Sequence, residues 1–230
     1  MTTQEFSDEF DILLNSFYSK SSYKGDYTNQ ELVLNEYEKS VLLTQAQEEI
    51  VRELYNGSLT GESFERTEEL RRCLDNLVRT IELEPFDMDY IGVTPNSAFF
   101  MYPEDTWFIT YEQATVNIKG TNKTIMVVPM RQDEWHKVSN NPFKMPNKNK
   151  VIRLDCAPGV LELISDYTVS SYLIRYLCKP TPIILEELPD NLSIDGERDI
   201  TECVLNTALH RVILDRAVKL AYSRITKVSN

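Results

Sequence analysis

His136 and His210 are the only imidazoles in the chain, so any general-base or zinc chemistry would start from them. A catalytic imidazole needs a nucleophile beside it and a group to orient it, and a zinc-binding one needs His or Cys partners at short, regular spacing. Neither histidine has such neighbours. They stand in unrelated segments, and a lone histidine in a helical pattern such as that around His210 is ordinarily a boundary residue. The four cysteines, Cys73, Cys156, Cys178 and Cys203, never form a C-x-x-C pair and read as reduced, partly buried thiols. Asp133-Glu134, Glu186-Glu187 and Asp195 with Glu197 are carboxylate pairs that could bind a cation or flank a sugar bond. Adjacent carboxylates on a strand point to opposite faces, however, so they rarely converge. There is no G-x-S-x-G elbow, no G-x-x-x-x-G-K-[ST] loop and no G-x-G-x-x-G turn. The expectation is a non-enzymatic protein with no catalytic residue, no cofactor and no metal ligand. Trp107 and Trp135 then read as core or interface anchors.

One stretch has a composition suited to contact. Ser139 to Lys150, SNNPFKMPNKNK, holds two prolines, four asparagines and three lysines, between Lys137 and Arg153. It reads as a positive finger for an acidic partner or nucleic acid, or as a solvated connection between strands; loops of this length are often kept for a task. A second landmark is Ser170 to Leu188, SSYLIRYLCKPTPIILEEL, a strand that runs into a Lys-Pro-Thr-Pro stop and restarts. Pro180 and Pro182 cannot donate to a ladder.

The net charge is −12, and it is unevenly spread: residues 1–100 hold 8 Lys/Arg against 20 Asp/Glu, whereas residues 101–230 hold 16 of each. Non-specific binding to DNA or to an anionic membrane needs the opposite sign. An acidic surface suits solubility, a basic partner, or a wall that repels DNA. The start, MTTQEFSDEF, lacks the basic and apolar regions of a signal peptide, and synthesis in a cytoplasm is expected. No apolar run is long enough to span a membrane.

The elements that must position these residues follow from periodicity. Phe6, Phe10, Leu13, Leu14 and Phe17 form one helical stripe. A weaker helix is expected from Asn29, and a clearer one from Thr44, where Thr44 to Gln47 match a capping box, with a stop at Asn56-Gly57. A fourth helix is expected from Ser63 to Thr80. The period then shifts toward two. Ile81 to Leu83 alternates, Ser97 to Tyr102 and Thr106 to Val116 predict a hairpin, and Ile125 to Val128 is a short strand ended by Pro129. Arg131 to Val138 predicts one or two helical turns. Val151 to Leu154 and Val160 to Ile164 predict a second hairpin. Val169 to Leu177, apolar on nearly both faces, predicts a strand at a central position in the sheet. Ile183 to Leu185 and Cys203 to Leu205 read as short strands, with a strand-turn signal at Leu192 to Gly196. Asn206 caps a closing helix whose stripe is Leu209, Val212, Ile213, Ala217, Leu220 and Ala221.

The fold class is α+β: a helical N-terminal third, a central, mainly antiparallel sheet of five to eight strands, and a C-terminal helix packing back. The expected regions are an acidic helical 1–80, a β-rich 81–205 and the closing helix 206–230, with 1–80 and the rest forming one integrated unit.

Three segments together carry a resemblance: EKSVLLTQAQEEIVRELYNG (Glu38 to Gly57), VVPMRQDEWHKVSNNPFKMPNKNKVIRLD (Val127 to Asp155), and YLIRYLCKPTPIILEEL with HRVILDRAVKLA behind it. They resemble the neck or tail-tube ring proteins of crAss-like tailed phages. The Arg-Tyr-x-x-Lys-Pro-x-Pro run before a closing helix is also similar to gatekeeper and head-to-tail adaptor proteins of short-tailed phages. The matched segments include no active-site motif. The resemblance implies a virion protein, assembled in the bacterial host cytoplasm as a homo-oligomeric ring of twelve copies. Such a ring connects portal to tail, contacts the portal protein and adjacent tail or neck proteins, and lines the DNA ejection channel without sequence-specific DNA binding. Contacts to a neighbouring subunit or ring are then expected from Asn140, Pro142, Phe143, Lys144, Lys148 and Lys150 in the loop, and from Lys179, Pro180 and Pro182 at the corner. A cytoplasmic monomeric interaction module and a carboxylate-metal hydrolase remain the alternatives from residue chemistry.

Overall fold

The computed structural model describes residues 1–21, 33–57, 67–87, 92–139, 141 and 143–228. They form two compact units: residues 1–77 with 179–230, and residues 78–178. The architecture is α+β, as expected.

The first unit is built on three long helices. Helix α1 (Thr3–Ser21) buries Phe6, Phe10 and Leu14, spaced by four on one face. Its start is a reciprocal cap, in which Thr2 Oγ1 accepts the Glu5 N–H and Glu5 Oε2 accepts the Thr2 N–H. Helix α2 (Glu36–Asn56) is continuous through Thr44. The capping box is therefore not at Thr44. Asn35 caps the helix, its side chain accepting the Glu38 N–H while Glu38 accepts the Asn35 N–H. The expected stop holds: Gly57, at φ 73°, adopts the left-handed conformation that ends helices. The helix expected from Asn29 begins outside the described residues. Helix α3 (Glu68–Leu74), capped by Thr67, is shorter than the expected 63–80, whose first residues lie outside the described ones. A 3₁₀ turn (Asp75–Leu77) follows it, and the chain is already a strand at Val78. Helix α5 (Thr207–Val228) starts where Asn206 Oδ1 accepts the Ala208 N–H. Its buried face is Leu209, Ile213, Leu214, Ala217, Val218 and Ala221, while Val212 is 39% exposed.

Helices α1, α2 and α5 are tied by ion pairs as well as by apolar contact. Lys39, 2% exposed, reaches from α2 to Asp11 at 2.6 Å and Ser7 at 3.0 Å on α1, and to Glu36 at 2.9 Å. Those carboxylates outweigh the cost of burying the ammonium and raise its pKa. Arg216 on α5 forms two 2.8 Å bonds to Glu53 of α2, the fork geometry that suits a guanidinium and a carboxylate.

The second unit is a curled seven-stranded sheet in the order β1-β7-β3-β4-β5-β6-β2. The strands are β1 (Val78–Leu83), β2 (Ala98–Met101), β3 (Thr106–Ile118), β4 (Thr121–Met130), β5 (Lys150–Ala157), β6 (Val160–Ile164) and β7 (Thr168–Cys178). All pairings are antiparallel except β4 with β5, which are joined by a crossover through helix α4 (Gln132–Val138). Strand β7, expected at a central position, lies between β1 and β3, inside the sheet but one place from its edge. The β5–β6 hairpin forms over Pro158-Gly159 as expected. The β2–β3 hairpin does not form: β2 pairs with β6, and β3 pairs with β7 and β4. Strands β3 and β4 make the local hairpin instead, over Lys119-Gly120, both with φ positive, the pattern of a tight two-residue turn. Pro129 does not end β4. It sits beyond Met126, where β4 has parted from β3, so no β3 neighbour requires its missing N–H.

The curl brings β2 over β7, with Phe100 and Tyr172 rings 5.4 Å apart and both fully buried. On the other face, Trp135 and Val138 of α4 pack on Ile152, Leu154 and Ile164. Trp135 is thus the expected anchor, while Trp107 stacks on Phe108 at 4.9 Å.

Candidate functional site

The Lys-Pro-Thr-Pro corner is held by one face of α2. Ser40, Thr44 and Gln47 recur at spacings of four and three, so they line one stripe of the helix, and all three are buried. Ser40 Oγ accepts the Leu185 N–H at 3.0 Å, Thr44 Oγ1 accepts the Ile183 N–H at 3.0 Å, and Gln47 Nε2 donates to the Thr181 carbonyl at 2.8 Å. Segment 181–185 is thereby received by side chains in place of a neighbouring strand. It is not the expected strand, although Ile184 makes one bridge to Thr201. Nor do Cys203 to Leu205 form a strand. Pro180 and Pro182 are buried, and Lys179 is ion-paired to Asp195 at 2.8 Å and Glu48 at 3.1 Å. The corner is an internal fastening within its unit.

Inside the curled sheet lies a buried polar knot. Arg153 on β5 and Glu112 on β3 are ion-paired at 13% and 11% side-chain exposure. They meet where β3 and β4 have parted, beyond the Gln113–Met126 pair. Tyr172 Oη donates to the other Glu112 oxygen at 2.7 Å, and Tyr102 Oη donates to Asp155 at 3.3 Å. Arg153 Nε is 3.3 Å from Asp155 Oδ1, close enough for charge attraction without hydrogen-bond alignment. Burial pushes both tyrosine phenols well above their usual range, and the negative charge of Glu112 adds to it. Burial works against the Arg153 charge, but Glu112 outweighs it and keeps the guanidinium protonated. Both phenols and the guanidinium are thus held in their protonated forms. The knot can hold β3, β5 and β7 in register through Glu112, Arg153 and Tyr172.

The lysine loop reaches the surface. Phe143 is 92% exposed, and Lys144 and Lys148 are exposed beside it. Lys150 is half-buried, with its ammonium 2.6 Å from the Lys144 carbonyl. Asn147 and Lys150 exchange backbone hydrogen bonds, which closes the loop into a defined turn. Asn140 and Pro142 lie outside the described residues. One further lysine joins the loop that sequence reading did not single out. Lys123 on β4 donates to the Lys148 carbonyl at 3.2 Å and to Asn149 Oδ1 at 2.9 Å. Sequence spacing carries no sign of it, because only the parallel β4–β5 pairing puts Lys123 beside the loop.

The remaining candidates stay apart. His136 is exposed on α4. His210 is buried, with Nε2 3.1 Å from the Leu205 carbonyl and Nδ1 2.8 Å from the Met1 amine. A carbonyl only accepts, so Nε2 carries the hydrogen. None of the four cysteines is joined in a disulfide, and burial pushes the Cys203 thiol up to about 11, away from reactive range. Among the described residues no cluster of His, Cys, Asp and Glu could hold a metal, and no helix is long and apolar enough to cross a membrane. An open groove of about 410 Å³, lined by Met101, Tyr102, Pro103, Glu104, Thr106, Pro158 and Gly159, gathers no set of convergent ionisable groups.

Comparison with known proteins agrees with an arrangement made for packing. The model of the phage tail ring protein 3/4 family matches residues 1–230. Ring protein 3 of Bacteroides phage crAss001 is 46% identical over 237 aligned positions, covering 100% of this chain and 98% of the relative. Ring protein 4/5 of the same phage is 32% identical over 232 positions, covering 96% of this chain and 92% of the relative. Similarity that runs through both units, at this level and over this length, makes the chain a member of the phage tail ring protein 3/4 family, a structural ring component of crAss-like phage tails.

Proposed function

We propose that the protein is a non-enzymatic virion component that closes into a ring of twelve copies, coaxial with the portal. In that position it joins neck to tail and surrounds the DNA on its way out. The observation that carries this reading is the 46% identity to Ring protein 3 across the whole chain, against 32% to Ring protein 4/5 of the same phage. Those values favour the tail position occupied by Ring protein 3 in crAss001. Several physical features support it. The polar groups of the interior are spent on fastening, as in the Arg153–Glu112 knot and the α2 clasp on residues 181–185. The net charge of −12 suits a wall along which DNA slides without sticking, because phosphate is repelled at every register. A closed ring of identical copies also needs two different faces on each subunit, and the two units are chemically distinct.

Of the surfaces named from sequence, the Phe143–Lys150 loop contacts a neighbouring copy, while the Lys179–Pro182 corner acts inside the subunit to fix the chain between β7 and α5. Reconstruction of the tail by electron cryomicroscopy with symmetry left free tests the reading. Twelve copies of the chain in one ring below the portal are expected. Another copy number overturns the dodecamer, and density for the chain outside any ring overturns the assignment.

A further inference from the structure

The lysine loop and Lys123 at the start of β4 form one basic tip. Lys123, Lys144, Lys148 and Lys150 lie together there, and among the described residues none of the four has a carboxylate at ion-pair distance. Lys123 and Lys150 donate instead to carbonyl oxygens of the loop, which stiffens the tip and leaves its charge uncompensated. Phe143, at 92% exposure, projects beside them. An exposed aromatic among unpaired cations is what an interface with an acidic, partly apolar partner requires.

The same chain carries a counterpart. Residues 184–188 and 198–201 run as a paired ribbon, with Ile184 bridged to Thr201 and the Leu188 N–H donating to the Arg198 carbonyl. Glu186, Glu187, Glu197, Asp199 and Glu202 are all exposed on or beside this ribbon. Its cations are already committed, Lys179 to Glu48 and Asp195, and Arg198 to Asp190. Ile200, 56% exposed, stands among the acids as Phe143 stands among the lysines.

We propose that the basic tip of one copy docks on the acidic 184–202 ribbon of the next, with Phe143 against Ile200, and that this is the head-to-tail contact of the ring. The inference rests on the ring reading above and adds its chemistry. The two surfaces are different and complementary, so each copy offers one to each neighbour, which is the condition for a closed heterologous ring. DNA would be a poorer occupant. The tip has one exposed aromatic where a strand of bases would use several, and a sticky basic tip facing the channel would work against free passage of DNA.

Charge exchange tests it. A phage lacking the gene is complemented by plasmid-borne full-length copies, and infectious titre is read together with the amount of the chain in purified particles. Lys144→Glu with Lys148→Glu, and separately Glu197→Lys with Asp199→Lys, are each expected to lower both readouts by about tenfold or more, because like charges then face each other at the contact. All four changes in one chain restore the complementarity, and recovery to within about threefold of the unaltered chain is expected. Matching melting curves of the purified variants separate lost contact from lost folding, since all four positions are exposed. Full incorporation of either charge-reversed pair overturns the proposal, as does failure of the four-fold variant to recover. Loss with the lysine variants alone, unaffected by the ribbon, would place another protein or DNA on the tip. Particles that never contain the unaltered chain would overturn the ring reading itself.

Discussion

Thr44 Oγ1 sits 3.0 Å from the Ile183 nitrogen, so one hydroxyl in the middle of α2 takes over the place of a strand partner. The same oxygen lies 3.4 Å from the Ile183 carbonyl, close enough to donate there when the amide approaches. Thr44 and Ile183 are both buried, so water cannot replace the bond. Thr44→Val keeps the shape and β-branching but leaves the Ile183 N–H unsatisfied. A loss of about 1–3 kcal/mol is expected, and Thr44→Ser should recover most of it. For a chain of this size each kcal/mol lowers the melting temperature by about 2–4 °C, so calorimetry resolves the difference. A Val variant as stable as the native chain would show that the clasp contributes nothing.

How much of this was legible in the chain depends on range. Helices α1 and α5, the Asn56-Gly57 stop and the β5–β6 hairpin are local features, and periodicity and turn residues announced them. Thr44 was legible only as a helix signal. Its threonine-to-glutamine spacing matches a capping box, yet Ser40 and Gln47 lie on the same inward stripe as Leu43 and Ile50, and a cap does not call for buried polar residues at such spacing. Polar side chains repeated on a buried stripe were the sign that α2 grips another segment. The partner of β2 was out of reach for a different reason. Strand β2 is followed closely by β3, which suggests a hairpin, but its pairing with β6 depends on the curl of the whole sheet. The Arg153–Glu112 pair, 41 residues apart, is likewise a product of topology.

That pair sets a second expectation. Arg153→Met leaves the Glu112 carboxylate buried without its cation, and a loss of about 3–5 kcal/mol follows. Removing both charges, as Arg153→Met with Glu112→Leu, takes away the unpaired carboxylate and should return much of that loss. Tyr172 then lacks an acceptor, so recovery is incomplete. Urea unfolding of the two singles and the double closes the cycle. Additive losses would mean that the two residues act independently and that the knot does not bind the strands together.

Gly92 marks a second fixed point in the sheet unit. Glu162, 1% exposed on β6, accepts the Val93 N–H and so draws the 92–97 turn onto the sheet. A Cβ at position 92 would stand 2.6 Å from Ser97 Cβ and 2.8 Å from Glu162 Oε1. Gly92→Ala must therefore displace either the turn or the carboxylate, at a cost of about 1–3 kcal/mol. Gly159, where an added Cβ meets nothing within 4 Å, gives the contrast. Its φ of 75° makes Gly159→Asn the tolerated test of an open position. Hydrogen exchange should show faster exchange at the Val93 amide in the Gly92 variant alone. Equal protection in both variants would remove the steric argument.

His210 gives the chain a pH response whose sign is set by its surroundings. Burial lowers its pKa below the ordinary 6.5, the Leu205 carbonyl opposes that shift, the Met1 amine adds to it, and Glu202 opposes it. The Phe6 ring, 5.4 Å away, offers a protonated imidazole no counter-charge. A depressed folded-state pKa means that the unfolded chain binds the proton first as pH falls. Stability from this group is therefore complete above about pH 6.5, falls as pH drops below it, and levels off beneath the folded pKa. The slope inside that window is at most about 1.4 kcal/mol per pH unit, since one proton is involved. His210→Gln preserves a donor toward Leu205 and cannot titrate, so its stability should hold level between pH 7 and pH 5 apart from the carboxylates. Of these, Glu53 has its pKa lowered by the Arg216 bonds, and its contribution begins to fade only as pH falls below the ordinary carboxylate value of 4.5. Chemical denaturation of both chains at half-unit steps measures the difference, and identical pH profiles would mean that His210 is not the group responding.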